Sequence, residues 1–182
     1  MARRRTSLAG AGPVAGRVPP AARILVAGVG NMFLRDDGFG PEVARRLAAD
    51  PAGVPAGGAA VRVVDYGIRG MHLAYDLLKP VDVLLLVDTV PAEGAAPGSL
   101  RVLQVRRGDL DPAAALDPHG MDPAAVLGRL RSLGGNLPRT YVVGCVPADL
   151  AEGIGLSDPV AAAVPQAMQT VKQLLAGQVP AG

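Results

Sequence analysis

The chain has 182 residues, enough for one domain that buries about 70% of its unfolded surface and folds without disulfides or a structural metal. Its single cysteine, Cys145, excludes an intramolecular disulfide framework and any Cys-rich zinc site, and agrees with a reducing cytoplasm. The formal charge of +2 hides an uneven spread: the first 23 residues carry five arginines and no acid, and the remainder has 13 basic against 16 acidic residues, about −3.

That balance argues against nucleic-acid binding, which needs Lys and Arg clustered on the folded body and aromatic rings for stacking; here there are only three Tyr and two Phe. Residues 1–22 are rich in Ala, Gly, Pro and Arg without sustained periodicity, and read as a disordered extension. The Arg3-Arg4-Arg5 run invites an export reading, but Leu8 to Pro20 is broken by Gly and Pro and offers no apolar h-region. No apolar run approaches the roughly 18 residues of a membrane-spanning helix, so the expectation is a cytoplasmic monomer with no membrane partner.

From Arg23 onward short apolar runs alternate with helical patterns, the signature of βαβ units and a largely parallel sheet. A first strand spans Ile24 to Val29. Gly30 and Asn31 end it, and a helix is predicted from Pro41, where a missing N–H is harmless, to Ala49. After a linker from Pro51 to Ala60, a second strand is predicted at Val61 to Tyr66 and a helix at Met71 to Leu78, ended by Pro80. Val81 to Val87, almost continuously apolar, reads as a central strand ending at Asp88.

A Pro/Gly loop at 91–98 precedes a fourth strand, Leu100 to Val105, and a polar segment runs to His119. Asp122 and Pro123 read as N-cap and first position of a helix to Leu133, and a fifth strand covers Thr140 to Cys145. A last helix starts near Ser157 to Pro159 and runs to Leu175, with Pro165 beginning or kinking it. Residues 23–178 thus form a single α/β domain.

Ligand sites in open α/β sheets form beyond the carboxyl ends of the strands. Asp36 and Asp37 follow strand one, Asp88 closes strand three, and His119 lies before a helix, so two carboxylates and an imidazole can meet at one sheet edge. Such a donor set suits a borderline divalent metal such as nickel or zinc. The same residues admit a purely structural reading, in which the loop acids satisfy backbone amides, Asp88 caps a turn and His119 is solvated. Other chemistries find no support: Gly28-Val29-Gly30 lacks the third glycine of a dinucleotide turn, which falls at Phe33, and there is no GxSxG, P-loop or HExxH. Cys145 reads as buried strand filler and His72 as a packing or surface residue.

The stretch ILVAGVGNMFLRDDGFGPEVARRL, Ile24 to Leu47, resembles the N-terminal signature of the hydrogenase maturation proteases. VLLLVDTV (Val83 to Val90), HGMDPAAVL (His119 to Leu127) and GCVPADLAEGIGLSDPV (Gly144 to Val160) resemble further family segments in the same order. The resemblance implies a three-layer α/β sandwich, a twisted and mainly parallel sheet of about five strands flanked by helices. It implies an aspartic-type, nickel-assisted endopeptidase that trims the C-terminal extension of a nickel-loaded nickel-iron hydrogenase large-subunit precursor. Asp37 and Asp88 match the catalytic positions, and Asp37, Asp88 and His119 the metal positions. Nickel would be the cofactor, held by the protease or supplied by the substrate's own centre, and another divalent metal would also serve. Asp37 is glutamate in many relatives, and the loop Asp65-Tyr66-Gly67-Ile68 stands where many have Asp-Gly-Gly-Thr, pointing to a substrate preference of its own. The alternative is a non-catalytic nickel-sensing or chaperone module that uses the same triad only to bind.

Overall fold

A computed structural model of the protein describes residues 22–50, 60–106 and 123–177. Five strands form one sheet: β1 (Arg23–Val29), β2 (Ala60–Gly67), β3 (Val83–Thr89), β4 (Leu100–Val105) and β5 (Arg139–Cys145). Four α-helices accompany them: α1 (Phe39–Ala49), α2 (Gly70–Asp76), α3 (Pro123–Ser132) and α4 (Asp158–Leu175). The strand order is β2-β1-β3-β5-β4. All neighbours are parallel except β4, which runs antiparallel to β5 at one edge.

The sheet is covered on both faces, as the unbroken apolar runs of β1, β3 and β5 require. On one face Ile24, Val26, Val83, Leu85, Val87, Tyr141 and Val143 pack against Phe39, Val43 and Leu47 of α1 and Val164, Ala167 and Val171 of α4. On the other, Leu25, Ala27, Leu84, Leu86 and Val142 pack against Leu73 and Ala74 of α2 and Val126, Leu127 and Leu130 of α3. The result is the expected three-layer α/β sandwich.

Chain direction creates the place for a site. From β1 the chain passes through α1 to β2 on one side, then through α2 to β3 on the other, so connections diverge between β1 and β3. At such a switch point the loops beyond the strand ends leave a crevice.

Boundaries differ from the sequence reading in instructive ways. Ala22, just before β1, is already buried and accepts a hydrogen bond from the Ala60 amide. Residues 1–21, the linker at 51–59 and the segment 107–122, which includes His119 and Asp122, lie outside the described residues. α1 starts at Phe39, two residues before Pro41, because proline is tolerated throughout a first turn whose N–H groups have no helical partner. β3 runs on through Asp88 to Thr89, because β5 continues beside it and pairs Asp88 with Gly144 and Thr89 with Cys145. α4 passes through Pro165 rather than starting there, since Asp158 and Pro159 already open the helix and its apolar face is buried against the sheet. α2 is shorter than expected and ends at Asp76.

Candidate functional site

The site is built by the loop between β1 and α1. Gly30 leaves β1 with φ of +135°, and a Cβ there would run into the carbonyl of Asp37, so the loop closes on the strand end only with glycine. Asn31 then sets a tight turn: its carbonyl accepts the Leu34 amide at 3.0 Å and its side chain the Phe33 amide at 3.0 Å. A 3-10 turn follows over Arg35–Gly38 and leads into α1. Gly40, in the first turn of α1, lies so close to the ends of β1 and β3 that a Cβ would overlap the carbonyl oxygens of Val29 and Val87. This contact holds the start of the helix, and the acids before it, over the switch point.

The two adjacent aspartates have different surroundings. Asp36 is fully buried. Its Oδ2 accepts the amides of Ala148 and Asp149, both at 2.8 Å, and the Ser157 hydroxyl at 2.9 Å, while Oδ1 accepts the Ser157 amide at 2.7 Å. Burial pushes its pKa upward, but the hydrogen bonds from Ser157, Asp149 and Ala148 outweigh burial and hold the carboxyl below the usual aspartate range. Ser157 stands at the N-cap of α4, yet its hydroxyl serves Asp36 instead of capping its own helix. Asp36 is thus a strut between the first loop and the loop after β5. Arg35, held at φ of +46°, reinforces the joint through its amide to the Gly153 carbonyl at 3.0 Å and its Nε to Asp149 at 3.2 Å. Asp36 thus satisfies backbone amides, as the structural reading of the loop acids expects, although its partners, 112 to 121 residues away, carry no local signal.

Asp37 is half-buried and faces the strand ends. Its Oδ2 accepts the Asn31 amide at 2.7 Å, and its Oδ1 accepts the hydroxyl of Thr89 at 3.3 Å. Asp88 is buried, and its Oδ1 accepts the Thr89 amide at 2.7 Å. β3 outruns its last pairing with β1, Gly28 with Val87, so on that side Thr89 meets the loop rather than a strand. Asp37 and Asp88 are therefore brought to one end of the sheet and linked through one threonine. His119 lies outside the described residues, among which no three His, Cys, Asp or Glu side chains gather into a metal-holding group. His72 is exposed in the first turn of α2. Cys145 is fully buried, and burial, with the negative charge of Asp36, pushes its thiol up to about 11, unlike a nucleophile.

Exposed apolar side chains stand on the loops that carry and brace the acids. Met32, Phe33 and Ile154 are exposed at 55%, 61% and 73%, all on the two loops that Asp36 ties together. A cleft of about 310 Å³ lies alongside, walled by Met32, Arg35, Glu42, Arg46, Ile154 and Leu156. On the other side the β2–α2 loop adjoins the strand end, where the Gly30 amide donates to the Gly67 carbonyl at 3.1 Å, and Ile68 projects outward.

Residues 41–174 match the family model described as hydrogenase maturation protease. The chain is 31% identical over 149 residues to the hydrogenase 2 maturation protease of Escherichia coli strain K12, covering 82% of this chain and 88% of that protein. The solved structure of the hydrogenase maturating endopeptidase HybD from E. coli aligns with a TM-score of 0.64 at 31% identity, over 82% of this chain and 89% of that one. A hydrogenase 2 maturation peptidase from a Thaumarchaeota archaeon aligns with a TM-score of 0.62 at 33% identity, over 84% and 97%.

Proposed function

This chain belongs to the hydrogenase maturation protease family, and from that membership we propose that it is the endopeptidase that removes the C-terminal extension of a nickel-loaded nickel-iron hydrogenase large-subunit precursor. The site reading rests on one observation above all: the first-loop acid Asp37 reaches the residue next to the strand-end acid Asp88 at the sheet's switch point.

A peptide cut without a Ser or Cys nucleophile requires an activated water. Asp37, ionised, takes a proton from that water as its oxygen attacks the scissile carbonyl, and the resulting tetrahedral oxyanion collapses as the leaving amine receives the proton. Water is consumed, the C–N bond breaks, and a carboxylate and an amine are released. Asp88, at the end of β3, either shares the proton with Asp37 in the manner of aspartic peptidases or holds a cation with it.

The donor chemistry fits a borderline divalent cation. Each Asp37 oxygen accepts one hydrogen bond and keeps lone-pair capacity for a second partner. Nickel would be held by Asp37, Asp88 and His119, and when bound supplies Lewis-acid polarisation of the scissile carbonyl. The exposed apolar side chains on the tied loops suit contact with a protein substrate rather than a small polar one. Incubation with a precursor large subunit, followed by mass analysis, tests the proposal: the protease shortens the precursor, whereas a nickel-sensing or chaperone module leaves its length unchanged.

A further inference from the structure

We infer that Thr89 is a positioning residue that fixes both carboxylates of the site, an inference that rests on the roles proposed for Asp37 and Asp88. Successive side chains on a strand point to opposite faces. Val87 packs on the α1 side of the sheet, so Thr89 shares that side and Asp88 does not. Thr89 therefore presents its hydroxyl to Asp37, at 3.3 Å, while its amide reaches back to Asp88, at 2.7 Å. One residue thus donates to both acids, one through its side chain and one through its main chain.

The hydroxyl matters because an aspartate carboxyl turns easily about its last torsion, whose well is broad. The Asn31 amide holds Oδ2 of Asp37, and the Thr89 hydroxyl holds Oδ1, so the group is clamped from two sides. Valine at position 89 would fill the same shape and leave the main-chain bond to Asp88 in place, but would release Oδ1. A hydrogen bond to a charged group is worth at least about tenfold in an equilibrium or a rate, and 3.3 Å is longer than the roughly 2.5–3.0 Å usual for an O–H···O bond, so no more than the lower bound is the appropriate expectation.

The test compares Thr89→Val and Thr89→Ser with the parent protein and with Asp37→Asn, by steady-state processing of a hydrogenase large-subunit precursor. Thr89→Val should lower kcat about tenfold with KM unchanged, and Thr89→Ser should stay within about twofold of the parent. The 13C carboxyl resonance of Asp37, assigned by its loss in Asp37→Asn, should shift in the valine variant and not in the serine one. If Thr89→Val does not fold, Thr89→Ala removes the hydroxyl without a branched apolar group and is held to the same outcome. Parent kcat and an unmoved carboxyl resonance in the valine variant, while Asp37→Asn is inactive, would overturn the role of Thr89 alone. A serine variant as slow as valine would overturn it too, since shape rather than the hydroxyl would then matter. Full processing by Asp37→Asn would instead overturn the reading of the acids, and this inference with it.

Discussion

Replacing Asp36 by asparagine keeps the size of the side chain and removes its charge, at a position with no access to water. Oδ2 takes three hydrogen bonds and Oδ1 one, so the amide oxygen of asparagine would settle in the Oδ2 place. Its NH2 would then face the Ser157 amide, donor against donor. The lost charged hydrogen bond and the stranded N–H cost about 2–3 kcal/mol, and weakening the other three from charged to neutral costs about 1 kcal/mol each before relaxation. Relaxation of the two loops returns part of this, leaving about 3–5 kcal/mol. For a domain of this size each kcal/mol moves Tm by about 2–4 °C, so the expected fall is about 6–20 °C. Thermal unfolding followed by circular dichroism measures it directly. A drop below about 1 kcal/mol would mean that the two loops hold together without the Asp36 strut, and would refute the reasoning.

Three further outcomes follow from the same geometry. Asp76, held down at about 2 by bonds from Lys79 and Tyr66, and Asp36, also lowered, favour the folded state when ionised. Their contribution is fully present above the ordinary aspartate pKa of about 3.9 and is lost as pH falls through the lowered values, so Tm should be level above about pH 5 and fall steeply below about pH 4. The fall should be shallower in Asp36→Asn, and equal slopes would contradict it. Gly40→Ala drives a methyl into the carbonyls of Val29 and Val87, so α1 must lift from the sheet; a loss of about 1–3 kcal/mol in chemical denaturation is expected, and an unchanged midpoint would show the contact to be loose. Replacing the exposed Ile68, which stands where many relatives have the threonine of Asp-Gly-Gly-Thr, by threonine should change which precursor is cut more than the rate of cutting, since selectivity often resides in loops on a rigid scaffold. Unchanged ratios in competition between precursors would move the specificity determinant elsewhere.

Much of this fold is legible in the residues because burial on both faces leaves a plain mark: the runs at Ile24 to Val29, Val81 to Val87 and Thr140 to Cys145 mark the three central strands, the second of which begins at Val83. What the sequence does not mark is set by pairing at a distance. β3 gains Asp88 and Thr89 as strand residues because β5 continues beside them, and it is that extension that brings Thr89 to Asp37. No local pattern singles out a threonine for this part. That a loop acid can satisfy backbone amides is legible in the sequence, but the three-residue grip on Asp36 from 148, 149 and 157 depends on how the last loop folds back. Pro165 shows the opposite case, where a strong local signal yields to an apolar helix face already committed to the core.

The assignment of the site turns on Asp37, which serves as the base or as a cation ligand and is removed as either by conversion to asparagine. The decisive measurement is precursor processing by Asp37→Asn, followed by gel shift and mass, with circular dichroism to establish folding. Because Asp37 is half-buried and accepts two hydrogen bonds from the described residues, the variant should melt within a few degrees of the parent. Its processing rate should fall by about a hundredfold or more, the scale of a lost acid–base group. A folded Asp37→Asn that trims the precursor at the parent rate would contradict the central claim.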